Sequence, residues 1–172
     1  MKSLPFTPFH LGPALAFGLP LKKYFHAPTF ILANVIVDVE PFVVLFLGLD
    51  YPLHGYLHAF IPAFCVGLAL GLVMFVSEKI MRSFYRKFLL VPEATLRAKS
   101  FLVAGVLGTT LHVLLDSPLY GDIRPFYPVA MNPLYGFVSP TGVYGFCGLM
   151  GLLGLLFYVG LLASSVRDRR KE

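Results

Sequence analysis

Four stretches of this chain, residues 29–49, 56–76, 100–119 and 141–165, are apolar and carry almost no charge. Each is about 20 residues long, enough for a helix to cross the ~30 Å hydrocarbon core of a bilayer. Backbone donors and acceptors find no water in lipid, so such a run satisfies them by closing on itself as a helix. Composition agrees: 57% of residues are hydrophobic and 13% charged, where a soluble domain carries about a quarter charged. The expected fold is all-α, a single integral membrane helical bundle over residues 1–172 with four full transmembrane helices.

Residues 1–20 have the outline of a signal peptide. Pro5, Pro8 and Pro13 interrupt the apolar middle, however, and Lys22-Lys23 stand where a small-residue cleavage site belongs. The segment reads as retained: a short membrane-embedded helix starting near Pro8, with a fifth span as the alternative. Cys65 and Cys147 both fall inside apolar runs and read as small buried hydrophobes.

Twelve of the fourteen basic residues lie in three places: Lys22-Lys23, the Ser77–Lys99 connection and the C-terminal tail. Alternating four spans puts all three on one side, which the positive-inside rule assigns to the cytoplasm of a multi-pass cell-membrane protein. Only Lys2 and Arg124 fall elsewhere. The net charge of +5 is thereby explained by topology, and nucleic acid is not an expected partner. Within the connection, Ile80, Phe84 and Phe88 oppose the charges and suggest an amphipathic surface helix. His26, beside the lysine pair, reads as a surface residue.

A few isolated polar residues interrupt the apolar runs. His112 and Asp116 are four apart and share a helix face, with Thr109 one turn earlier. Asp38 and Glu40 are two apart, so on an ideal helix they diverge. They serve one site only if the chain kinks near Glu40–Pro41, where proline removes a donor. Asn34, one turn before Asp38, is placed to hydrogen-bond it. His10 and His58 lie near the ends of their segments, and His54 shares a face with His58 if that helix starts early. Under the charge rule His10, His58, His112 and Asp116 all fall in the outer half of the bilayer. Asp38 lies roughly 14 Å from Thr29 along a helix, near the midplane. It meets His58 only if the broken helix shifts outward or the site is a deep funnel.

Imidazole and carboxylate are ligands for zinc and other first-row divalent metals. His10, Asp38, Glu40, His58, His112 and Asp116 are therefore candidate ligands for one or two ions, zinc first among them. Asp38 and Glu40 are also candidate catalytic groups, Glu40 as ligand or as general base for water. His54 and Arg124, in outer loops, are candidate substrate contacts, Arg124 as a partner for an anionic head group. Two other readings stand beside this one. His112 and Asp116 can form a buried pair that fixes a helix interface. Asp38 and Glu40 can form a proton or cation relay in a non-enzymatic transporter or channel, although no internal repeat of the transporter kind is visible.

The ordered set TPFH, VDVEP, HGYLHAF and HVLLD followed by SPLYGDIRPFYP resembles the YdjM-like family of membrane-bound predicted metal-dependent hydrolases. That family is distantly grouped with zinc-dependent phospholipase C and P1-type nucleases. The resemblance runs from His10 to Pro128. It implies that His10, Asp38, His58, His112 and Asp116 are metal ligands, with Glu40 in place of a second Asp. It departs at Pro41, where a His often follows the acidic pair, and at His54, one residue closer to His58 than in the family pattern. The implied activity is hydrolysis of an ester or phosphoester, with a membrane lipid as the substrate class.

Overall fold

The computed structural model describes residues 7–92 and 94–170. Lys2 and Lys171, which enter the count of basic residues, lie outside them, as does Pro5. The described chain is all-helical, and four of its helical segments are long and apolar enough to span a membrane. After a 3₁₀ turn at Thr7–His10 come α1 (Leu11–Gly18), α2 (Ala27–Ile36), α3 (Val39–Leu47), α4 (Phe60–Lys87), α5 (Ala98–Asp116) and α6 (Pro140–Arg169). The short N-terminal helix is α1. The first span is α2 and α3 in series.

The break in that span falls at Val37–Asp38, just ahead of Glu40–Pro41 and at the residue whose carbonyl Pro41, four positions on, cannot bond. Pro41 sits in the first turn of α3, where its missing N–H leaves no intrahelical bond unmade. Asp38 occupies the junction, and Gly48 closes α3 in the left-handed conformation, φ +61°.

Helix α4 also departs from the reading of its sequence. It does not stop near Val76 but runs on through the charged residues to Lys87, so the connection is the short segment 88–97. The face that suggested a separate surface helix belongs to this extension. His26 is fully buried, not a surface residue. Its Nδ1 accepts the Thr29 N–H at 3.3 Å as the N-cap of α2, and its ring stacks on Phe101 at 4.2 Å. Glu78 of α4 lies 3.2 Å from its Nε2. Cys147 is buried, while Cys65 is exposed on α4.

Lipid is as apolar as leucine, so these helices associate by close packing rather than by hydrophobic transfer. The seams are glycines. Gly67 and Gly71 of α4 meet the α5 backbone at Gly105, Phe101 and Leu102. Gly108 of α5 meets Ala33 and the Phe30 carbonyl of α2, and Gly12 of α1 meets Cys147 and Gly151 of α6. Thr109 joins the first seam, donating its hydroxyl to the Ala63 carbonyl at 2.8 Å. Helix α6 packs chiefly on α1, and Leu152, Leu155, Leu156 and Val159 remain exposed along it, as expected of a lipid-facing helix.

The loop after α5 folds back over one end of the bundle. The Phe60 N–H, at the start of α4, donates to Pro125 at 2.9 Å. Asn132 donates to the Ser117 and Tyr120 carbonyls at 2.9 and 3.2 Å. His58, in a 3₁₀ turn before α4, is fully buried and meets Asp38 at the break between α2 and α3.

Replacing Gly105 by Val drives a side chain into the Gly67 carbonyl and should cost about 1–3 kcal/mol. Gly148→Val, where nothing lies within 4 Å, should change stability by less than about 0.5 kcal/mol. Thermal unfolding of both variants in one detergent checks the contrast.

Candidate metal centre

The break in the first span creates the site's first fixed point. The Asp38 N–H bonds the Val35 carbonyl, a tighter turn than α-helix, at 3.1 Å. The Asn34 carbonyl therefore lacks its helical donor. His112 of α5 fills that vacancy, its Nδ1 standing 2.8 Å from the oxygen. Since a carbonyl only accepts, a proton is on Nδ1, and in its neutral form the ring presents a lone pair at Nε2. That atom faces Asp116 Oδ2 at 3.3 Å and Asp38 Oδ1 at 3.5 Å. The Asn34 side chain bonds the Phe30 carbonyl at 2.9 Å, not Asp38.

His58 is held the same way. Its Nδ1 lies 3.2 Å from Glu40 Oε2, which also accepts the Gly55 and Leu57 N–H groups at 3.0 Å each. One carboxylate oxygen thus pins the turn and the ring tautomer together. His58 Nε2 then faces Asp116 Oδ2 at 3.8 Å and Asp38 Oδ1 at 3.9 Å.

Asp38, His58, His112 and Asp116 each offer one ligand atom, all within 4.8 Å of one another, and all four residues are buried. Tetrahedral zinc with bonds of about 2.0–2.2 Å needs ligand atoms roughly 3.3–3.6 Å apart. The His112 contacts meet that spacing, and the His58 contacts exceed it by a few tenths of an ångström. Neither Nε2 has a hydrogen-bond partner. Lone pairs aimed at carboxylates in a dry interior repel unless a proton or a cation lies between them. The donor set, the spacing and the locked tautomers fit a divalent metal, and this group could hold one.

The other expected site residues surround these four. His10 lies outside the ligand group: its Nε2 is 3.0 Å from Asp116 Oδ1 and its ring rests on His112 at 4.2 Å. It orients Asp116 and leaves Oδ2 facing inward. Glu40 is likewise outside the group, and its Oε2 is committed to three donors, so its geometry is that of a positioning residue rather than a base for water. Asp38 is placed as a ligand. His54 precedes α4 as His58 does, and no early helix start brings them together. The loop nevertheless sets their rings 4.8 Å apart. His54 Nδ1 and backbone N–H both contact Asp122, at 3.0 and 3.2 Å. Arg124 is exposed in a cavity of about 340 Å³ lined also by His54 and Ala59.

Two residues of this region carried no weight in the sequence. Burial opposes ionisation of Asp122, but the His54 ring and backbone N–H outweigh it and hold the carboxyl below its usual range. Tyr120 stacks on His54 at 4.2 Å. Burial first, then the charge of Asp116, push its phenol upward, so it stays a neutral donor within reach of Tyr144. Its position four after Asp116 was the available signal. Comparison with family models, curated proteins and solved structures gives no match for this chain.

Glu40→Ala keeps all four side chains of the group but frees the 55–58 turn that holds His58. Metal affinity should fall about 10–100-fold, and Asp38→Ala should abolish binding, both read by competition with a chromogenic chelator. The Asp122 carboxyl has a depressed folded pKa, so its stabilisation is present above the unfolded value and is lost as pH falls through the folded one. Protection of residues 51–58 from hydrogen exchange should therefore drop on acidification in the native protein. In Asp122→Asn it should already be low at neutral pH, each pair being compared at the same pH.

Proposed function

We propose that this chain is a membrane-embedded metal-dependent hydrolase of the ester or phosphoester class, with a lipid as substrate. The observation that carries the reading is the pair of histidine Nε2 atoms without hydrogen-bond partners, each tautomer locked through Nδ1, converging on Asp38 and Asp116. Among the described residues one such group occurs, which suits one ion, zinc first among candidates. A divalent metal bound there supplies Lewis acidity toward an ester oxygen and toward water. The chain's own residues do the rest. His10 and Glu40 orient a ligand each, the 117–139 loop excludes bulk water, and Tyr120 offers a neutral O–H beside the carboxylates. The resemblance of the ordered motifs to the YdjM-like family supports the same reading. With the basic ends in the cytoplasm, the site opens toward the outer leaflet.

Between α2 and α5, Gly108 packs on Ala33 and the Phe30 carbonyl, which leaves no room for a proton- or ion-conducting route along that seam. That closeness argues against conduction. A structural metal is the second reading, favoured by the burial of all four ligands.

The first test is elemental mass spectrometry on detergent-purified protein beside His112→Ala and Asp116→Ala. The native chain should carry about one equivalent of a transition metal, and both variants should lose it. Chelation should then abolish hydrolysis of phosphodiester and lipid probes with the helical circular dichroism intact, and added zinc should restore it. Loss of helical structure on chelation would favour the structural metal. No metal in the native protein after zinc or manganese loading would sink both.

A further inference from the structure

The cavity beside the ligand group has a chemistry of its own. Tyr51, Tyr56, Tyr127, His54, Asp122 and Arg124 line it, at the end of the bundle where the 117–139 loop covers the start of α4. Arg124 is exposed there, and among the described residues no carboxylate pairs with it. The cavity's own acid, Asp122, is already committed to His54 through both the ring and the backbone N–H. The charge left uncompensated is therefore positive. Tyr56 and Tyr127, bonded to each other through their hydroxyls, add a neutral O–H, their rings edge to face at 5.0 Å, while the Tyr51 hydroxyl is held by Glu40 and the Tyr56 N–H. His54, 2% exposed, keeps an Nε2 without a hydrogen-bond partner. The floor is one ring away from the ligands: His54 touches His58, and Ala59 follows it directly.

We propose that this cavity is a subsite for a phosphate-class anion, bound by the Arg124 guanidinium with a tyrosine hydroxyl as a further donor. A guanidinium presents a planar fork that matches two phosphate oxygens, which a lysine cannot reproduce. The volume of about 340 Å³ exceeds a bare anion and suits an esterified one. That the bound group is the head of the hydrolysed substrate rests on the hydrolase reading; the binding of the anion does not. A lipid head group and a soluble phosphoester share this chemistry.

The test measures binding of glycerol phosphate and of dihexanoyl phosphatidic acid to the purified full-length chain by calorimetry, with metal content determined on each sample. Arg124→Ala should weaken both probes at least about tenfold, with metal content and thermal unfolding unchanged. Arg124→Lys should recover part of the loss. Tighter binding of the lipid probe assigns the subsite to a head group, and equal binding assigns it to a soluble ester; either supports the subsite. Failure of the native chain to bind either probe, or affinity indifferent to Arg124 and lost on chelation, overturns it. Arg124-dependent binding by a chain that holds no metal keeps the subsite and removes the hydrolase.

Discussion

Two carboxylates and two imidazoles share one small space at 0–5% exposure, inside a bundle whose buried residues are mostly apolar. Moving even one such carboxylate out of water costs several kcal/mol unless something compensates it. Much of the surrounding structure supplies that compensation. The first span breaks so that Asp38 can point inward and the Asn34 carbonyl can receive His112. His10 takes one oxygen of Asp116. Glu40 fixes His58 from the far side. A continuous helix over residues 27–47 would set Asp38 and Glu40 on diverging faces, and the site would lose either its ligand or the anchor of its loop.

The bundle reaches this arrangement with little hydrophobic driving force between helices. In a bilayer, association depends on how closely backbones approach, and here glycines set the approach at three seams: α4 on α5, α5 on α2 and α1 on α6. The site sits where those seams converge at one end. Helix α5 contributes His112 and Asp116 and packs on both α2 and α4, which carry or adjoin Asp38 and His58. Helix α1 brings His10, itself held by α6. The seams therefore act on the ligand geometry as well as on stability.

The loop that follows α5 folds across the end of the bundle at which the four residues meet. Its bonds to Ser117, Tyr120 and the start of α4 hold it across the bundle end. The same loop carries Asp122 and Arg124, so the cover and the neighbouring cavity are one piece of chain. Tyr120, at its root, joins the two by stacking on His54 beside Asp116.

The spans and the ligand types were legible in the sequence because each is a local property. An uncharged run about 20 residues long has few folds open to it in lipid, and His112 and Asp116 share a face by helical period alone. What lay outside that reach was long-range. That the break leaves the Asn34 carbonyl to be met by His112 is a contact no local pattern shows. Glu40 turned from ligand to anchor because the 55–58 turn brings three donors to one oxygen. His26 is buried because Phe101 and Glu78, far along the chain, close over it. By itself the sequence determined an all-α bundle with four helices long and apolar enough to span a membrane, and the residue types that could hold a metal, since hydropathy and side-chain chemistry travel with each residue. Only the tertiary structure decided which of those residues meet and which support them, because ring tautomer and carboxylate orientation are set by partners distant in the chain, as Asn34 is for His112 and His10 for Asp116.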